Sequence, residues 1–237
     1  VSGTYTISQP PDPVTINQAT RQRDGLVFVT GSAQPGVAVR VIWPGASVSL
    51  VTADATTGEW IVTSTATYSI SQAVWALAYN NAGQSTPIRK DISNYGAVGS
   101  YSKEECVKDY STGLIWEGKT ASGLRSGSNT YTNYEDDYAA TNTYGYALYV
   151  NGTALCGYTD WRLPTKDELQ TLLDSSRSNP KINTDWFPNT PSAWYWTSSP
   201  YVGGSDSAAW YVYFGNGYVS GYSRNYGSAA RLVRASQ

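Results

Sequence analysis

Glu117, Asp160, Asp167 and Glu168 are the nominal candidates for acid–base chemistry in this chain, since two carboxylates flanking a glycosidic bond suffice to hydrolyse it. Each has a simpler reading. Glu168 stands at the third position of a helix capping box, and Glu117 follows an apolar run ending in Trp116. The sequence has no histidine, which removes the commonest general base together with the commonest metal ligand. Ser-His-Asp, Cys-His and zinc chemistries are thereby excluded or nearly so. Asn133, Glu135, Asp136 and Asp137 offer oxygen ligands for calcium, but their spacing is not that of an EF-hand and reads as a solvated acidic face. The expectation is a protein that is not an enzyme, with no catalytic residue, no metal and no cofactor.

The chain does carry the chemistry of recognition. From Gly215 to Ala230 it reads GNGYVSGYSRNYGSAA, with Gly, Ser, Tyr and Asn at all but four positions. This is the alphabet of an antibody paratope, in which tyrosine supplies rigid amphipathic area and Ser, Gly and Asn supply adaptable hydrogen bonds. Upstream, Trp210, Val212 and Phe214 alternate with Tyr211 and Tyr213, a strand pattern that sends three side chains to a core and two to the opposite face. The alternation, with a Gly-rich return beyond Gly217, predicts one exposed ligand face. Its members are Tyr201, Tyr211, Tyr213, Tyr218, Ser220, Tyr222, Ser223, Asn225, Tyr226 and Ser228.

The elements that must hold this face are legible in outline. At 237 residues the chain fits two domains. Residues 1 to 92 read as all-β, with runs at 26–30, 37–43, 48–52, 60–64 and 73–79 separated by turn residues, and about seven short strands are expected there. Asn94-Tyr95-Gly96 and Gly99-Ser100 serve as a linker. The second part, 93 to 237, mixes helices and strands. Thr165-Lys166-Asp167-Glu168 is a capping box, and Leu169, Leu172 and Leu173 follow as a helical stripe. A second helix is expected from Thr143 to about Asn151, with Tyr144, Ala147, Leu148 and Asn151 on one face and Gly152 as its stop. Arg231-Leu232-Val233-Arg234 reads as a closing strand.

Charge and cysteine content narrow the setting. Only 14% of residues are charged and the formal net charge is −2, so the basic footprint of a nucleic-acid binder is missing. No apolar stretch approaches the length of a membrane span. The chain begins at Val1 without a recognisable leader, as expected of a mature fragment of something longer. Cys106 and Cys156, in no CxxC spacing, read as one disulfide of a secreted or surface protein or as a reduced buried pair. A bridge closing about 50 residues would contribute about 4 kcal/mol in the chain-entropy account.

Several blocks resemble known families. Gly31-Ser32-Ala33-Gln34-Pro35-Gly36, Val37-Ala38-Val39-Arg40-Val41, Ala53-Asp54 and Thr57-Gly58-Glu59-Trp60 resemble the bacterial immunoglobulin-like modules of adhesins and phage tail proteins. That resemblance implies a β-sandwich spacer, with an exposed Trp43 as a minor candidate for glycan contact. Cys106-Val107-Lys108-Asp109, Thr112 to Glu117, Leu155 to Thr165, Trp186-Phe187-Pro188-Asn189, Tyr195 to Ser199, Ala209 to Gly217 and Arg231 to Arg234 resemble the C-terminal domain of bacterial collagen-like adhesins. Those domains belong to the C-type lectin-like group related to formylglycine-generating enzymes. The resemblance implies an α+β C-type lectin-like domain at 93–237 and Cys106 and Cys156 as its structural pair. Trp161 and Arg162 read, by residue type, as core and buried-bridge residues that lock the helix start. The resemblance does not carry over the enzymes' activity, because the tail offers none of their catalytic cysteines.

The tail is also similar to the variable proteins of diversity-generating retroelements, with its Trp-x-Val-x-Phe-x-Asn-Gly strand, its scatter of substitutable positions and its closing Arg-Leu-Val-Arg. Adenine randomisation in such systems yields Tyr, Ser, Gly, Asp, Ala, Val and Asn, and Glu, Gln, Lys and Met are all missing between Tyr201 and Ala230. The resemblance implies a hypervariable segment at about 201–230 on a protein displayed at a cell surface or virion. Its partner would be a protein or glycan receptor on a target surface. A fixed-specificity glycan-binding adhesin is the alternative; a sulfated glycan would need more cations than Arg224, Arg231 and Arg234 supply.

Overall fold

The computed structural model describes residues 9–202 and 207–236; the stretch 203–206 of the expected variable segment lies outside them. The chain divides into two compact units, Val1–Gly96 and Ala97–Gln237. The division falls four residues beyond Ile92 because Ser93 and Tyr95 are tied back to the first unit. Ser93 N donates to Ala19 O (2.9 Å), and Thr20 Oγ1 donates to Tyr95 O (3.0 Å).

The first unit is built from antiparallel strands with clear alternation. They are β1 (Thr15–Arg21), β2 (Leu26–Ser32), β3 (Ala38–Ile42), β4 (Val48–Thr52), β5 (Glu59–Thr67), β6 (Ala73–Asn80), β7 (Gly83–Gln84) and β8 (Ile88–Asp91). Among the described residues eight strands rather than seven form here, the surplus being the two-residue β7 that shares β6's edge with β8. One sheet has the order β1-β2-β5; the other runs β4-β3-β6-β7, with β8 also on β6. Val27 and Val29 of β2, Val39 and Val41 of β3, and Val74, Ala76 and Ala78 of β6 point into one core with Trp60, as period-2 β-branched segments should. Gly31 is required where it stands, since a Cβ there would lie 2.2 Å from the Trp60 ring. Trp43 is buried rather than exposed. Its ring stacks on Tyr68 at 5.8 Å and its indole N–H donates to Ser49 Oγ (2.7 Å), which removes it as a sugar-stacking surface.

The second unit has two antiparallel sheets and little helix. β9 (Tyr95–Ala97) lies at the division, followed by β10 (Cys106–Asp109), β11 (Leu114–Glu117), α1 (Thr143–Gly152), α2 (Lys166–Gln170), β12 (Trp194–Pro200), β13 (Ala208–Tyr213), β14 (Val219–Ser223) and β15 (Val233–Ala235). The sheet orders are β15-β11-β10-β9 and β12-β13-β14. Arg231 and Leu232 precede the closing strand instead of starting it. The capping box is present in full, Thr165 accepting from Glu168 N while Glu168 accepts from Thr165 N, and it sets Leu169 and Leu172 into the core. Arg162, expected as a buried bridge, is solvent-exposed yet still pairs with Glu168.

Cys106 and Cys156 form a disulfide with a Cα–Cα distance of 6.6 Å. It joins β10 to the segment before Trp161, whose indole N–H donates to Leu155 O (3.1 Å). Asn151 clamps both backbone groups of Trp161, accepting from its N (2.7 Å) and donating to its O (2.9 Å). α1 forms as expected, but its buried face is Thr143, Gly145, Tyr146 and Val150. The stripe of Tyr144 and Leu148 is instead exposed, and Gly152 closes the helix without the left-handed conformation of a glycine cap.

Candidate functional site

A buried charged frame fixes the end of the chain. Glu117, with no exposed surface, accepts from Lys119 Nζ (3.0 Å), from the Tyr146 hydroxyl and from Leu232 N (2.9 Å). Arg231, equally buried, donates to Glu117 O and to Thr190 Oγ1 (2.7 Å). Arg234 pairs with Asp160 (2.6 Å) and lies over the Tyr158 ring at 3.7 Å. Burial pushes the Lys119 ammonium down to about 8 against the pull of Glu117, and burial holds the Tyr146 hydroxyl far above its usual range. Hydrogen bonding to Arg234 keeps the Asp160 carboxyl low, and hydrogen bonding to Arg162 does the same for Glu168.

Three of the four carboxylates considered for catalysis are ion-paired: Glu117 with Lys119, Asp160 with Arg234, and Glu168 with Arg162. Asp167 lies at the surface beside Lys166. The three arginines near the tail, Arg224, Arg231 and Arg234, are all buried. Among the described residues, no group of three or more Asp, Glu or Cys side chains is arranged to hold a metal ion.

The expected ligand tyrosines lie on the sheet β12-β13-β14, and its register decides which of them meet. Trp194 pairs with Tyr213 and Trp196 with Tyr211. On the other side Tyr211 pairs with Ser220 and Ala209 with Tyr222. Paired residues share a face, so Trp194, Trp196, Tyr211, Tyr213, Ser220 and Tyr222 are presented together. Trp194 stacks on Tyr211 (3.9 Å) and meets Tyr213 (5.0 Å) and Tyr218 (6.1 Å). Tyr211 stacks on Tyr222 (5.4 Å), which contacts Tyr226 (4.7 Å). The result is a continuous aromatic row with a graded profile. Tyr211 is 8% exposed and Trp196 fully buried, whereas Tyr218, Tyr222 and Tyr226 are 63%, 42% and 53% exposed.

Four of the ten expected face residues depart from the prediction. Tyr211 is floor, not rim, because β13 is the central strand and Trp194, Trp196 and Tyr222 cover its ring. Ser228 is buried, since both its backbone groups pair with Tyr131 (2.8 and 3.0 Å). Tyr201 lies on the opposite face: its ring covers Gly221, where a Cβ would stand 2.1 Å away, and contacts Trp210 at 4.7 Å. Ser223, paired with Ala208, shares that opposite face. Trp210 itself is half-buried rather than a core residue, with Lys166 over its ring at 5.3 Å; Val212 and Phe214 do point inward. Asn225 and Tyr226 are exposed as expected. Trp194 is the contributor that sequence reasoning missed. Its signal was the Trp194-Tyr195-Trp196 alternation, which matches the period of β13.

The second unit is thus a mostly β domain that presents an aromatic sheet face on an ion-paired frame. Residues 105–234 match the model of the Lcl C-terminal domain, and the chain belongs to that family. No curated protein matches the sequence. Among solved structures, a carbohydrate acetylesterase from Xanthomonas citri aligns at 21% identity over 37% of this chain and 20% of its own, with a TM-score of 0.24. A likeness that low carries no argument about this chain.

Proposed function

We propose that this protein is a hypervariable ligand-binding protein of the retroelement type, displayed outside the cell on a bacterial surface or a virion. In this reading an immunoglobulin-like spacer carries a C-type lectin-like head, and the head recognises a protein or glycan receptor without a chemical step. The observation that carries it is the aromatic row on β12-β13-β14, with its buried floor and exposed rim. Exposed aromatic side chains over a desolvated centre are the usual makings of a binding hot spot.

The way the segment is tied down supports the same reading. Ala229 exchanges backbone bonds with Trp194 O (2.8 Å) and Trp196 N (2.9 Å), and Leu232 N is held by Glu117. These ties use main chain and buried frame, so rim side chains are free to change while the fold stays the same. The test replaces Tyr218, Tyr222 and Tyr226 together by Ser and measures binding to glycan arrays and to target-cell surfaces, alongside thermal unfolding. Binding should fall more than about tenfold, with stability changed by no more than about 0.5 kcal/mol per site; undiminished binding would overturn the assignment. Sequencing the surrounding DNA tests variability separately. A near-identical repeat differing at template adenines beside a reverse transcriptase gene supports it, and its absence favours a fixed-specificity glycan-binding adhesin.

A further inference from the structure

A cleft of about 400 Å³ opens in the second unit beside α1, and none of the aromatic-row residues lines it. Its floor belongs to the core: Trp161 is buried, and Ala147 and Leu163 pack against the same core cluster. Its rim is open, with Tyr144 and Leu148 of α1 38% and 43% exposed. An apolar floor under a half-open rim, in a volume of ordinary ligand-pocket size, suits a small apolar body. The amides beside it are spoken for. Asn151 is spent on the Trp161 backbone, and Asn133 donates to Thr197 O (3.1 Å) and accepts from Thr143 Oγ1 (2.7 Å).

The charged side chains that line the cleft are Arg162, Arg224 and Glu135, and they select an occupant. Glu168 holds both terminal nitrogens of Arg162 (2.8 and 2.7 Å) and is no part of the lining, so that charge is matched from outside the cleft. Arg224 is different. Its side chain is only 8% exposed, and it is fixed in place: Nη1 donates to Asn133 O (2.8 Å), while its main chain accepts from Asn133 N (2.9 Å) and donates to Ser207 O (2.7 Å). Its one carboxylate partner among the described residues is Glu135, at 3.3 Å and 83% exposed. An ion pair with a water-facing partner is worth little, so Glu135 can swing into solvent at small cost. A fixed, nearly buried guanidinium with a movable counter-ion is a seat for another carboxylate. One carried in by an apolar body on the cleft floor would meet Arg224 with less water between them, where the same attraction is stronger. Asp136 and Asp137 follow Glu135 on the loop but do not line the cleft.

We infer that the cleft is a second ligand site, taking a small aromatic carboxylate whose ring lies between Leu148 and Trp161 and whose carboxylate takes the place of Glu135 on Arg224. Glu135 is then the site's own competitor. The site does not depend on the aromatic row. The test titrates the full chain with three probes of similar shape, 3-phenylpropionate, 3-phenylpropanol and 3-phenylpropylammonium, followed by amide NMR and by the Trp161 indole signal. Phenylpropionate should give saturable shifts across residues 144–151, the alcohol should bind about 3- to 10-fold more weakly, and the ammonium more weakly still. Glu135→Gln removes the competitor and should tighten phenylpropionate about threefold while leaving the alcohol unchanged. Leu148→Ser should weaken phenylpropionate and the alcohol alike, by about threefold or more. No saturable shift at α1, equal binding of the three probes, or a Glu135→Gln chain that binds phenylpropionate no more tightly overturns the proposal. Shifts confined to Trp194, Tyr211 and Tyr222 also overturn it and leave the reading of the aromatic row intact.

Discussion

Glu117→Gln is the most demanding test of the charged frame. The wild-type carboxylate is fully buried and faces Lys119, also buried, with Arg231 donating to its main-chain oxygen. The amide keeps an acceptor for Leu232 N but removes the negative charge that, among the described residues, pairs with the Lys119 ammonium and with Arg125 (3.7 Å). Removing one partner of a buried pair costs about 3–5 kcal/mol, because the other charge is left without compensation. That is about a fifth or more of the stability of an ordinary domain. Guanidinium unfolding at pH 7, read by hydrogen exchange across residues 106–117, should show a loss of this size in the second unit. Adding Lys119→Met removes the stranded ammonium and should recover about 2 kcal/mol or more, a non-additive coupling. A cost below about 1 kcal/mol, or strictly additive single and double variants, would refute the argument that Glu117 is held in place as a counter-charge.

The same frame gives stability a pH signature. The Lys119 ammonium releases its proton at about 8 in the folded chain and near 10.4 unfolded. Between these values the unfolded state holds more protons, so stability rises with pH by up to about 1.4 kcal/mol per unit, and Lys119→Met should abolish the rise. Above about pH 10 the sign reverses, since burial raises Tyr131 and Tyr195 to about 12 while unfolded tyrosines ionise near 10; urea midpoints at pH 7, 9 and 11 should peak at the middle value. Reducing the Cys106–Cys156 bridge, which spans 50 residues, should lower the second unit's stability by about 4 kcal/mol, measured by unfolding with and without reductant. Tyr211→Ala should cost about 3–5 kcal/mol and Tyr218→Ala no more than about 0.5, a contrast that disappears in a calorimeter if Tyr211 is a rim residue. Arg224→Ala should cost about 1.5–3 kcal/mol, because its guanidinium donates to the buried Asn133 O (2.8 Å), and Asn225→Ala beside it should be neutral.

How much of this was readable in the sequence depended on whether a signal was local. The capping box is local: Thr165 and Glu168 satisfy each other's backbone whatever surrounds them, so the start of α2 appeared where the residues placed it. Strand alternation is local too, and β4 matched its expected run at both ends. The face a strand buries is a tertiary property. Period 2 separated Tyr211 and Tyr213 from Val212 and Phe214, but it could not say that β13 would be the central strand with Trp194 and Trp196 beside it. α1 failed in the same way. Its stripe of Tyr144, Ala147, Leu148 and Asn151 is helical in period, yet Tyr146 and Val150 take the core because Glu117 and Lys119 call the Tyr146 hydroxyl inward. Buried polar partners of this kind leave no mark in a hydrophobic pattern.

The aromatic row and the frame meet in one physical requirement. A surface whose side chains are exchanged must not depend on them for its backbone course. Between Tyr218 and Gly227 the chain is held by the β13–β14 ladder, by the turn in which Tyr213 N bonds Tyr218 O (2.8 Å), and by one buried side chain, Arg224. Past Gly227 the anchors are Ser228 on Tyr131, Ala229 on Trp194 and Trp196, and Leu232 on Glu117. Side chains at 218, 220, 222, 225 and 226 contribute little to any of these ties. Arg224 contributes through both Asn133 and Glu135, and Gly221 leaves the space that the Tyr201 ring occupies. A tail diversified under selection for folding would therefore change at the first group of positions and keep Gly221, Arg224 and everything from Ser228 to Arg234. A set of natural variants substituted freely at Arg224 or Gly221 would mean that the segment is held by something other than these contacts.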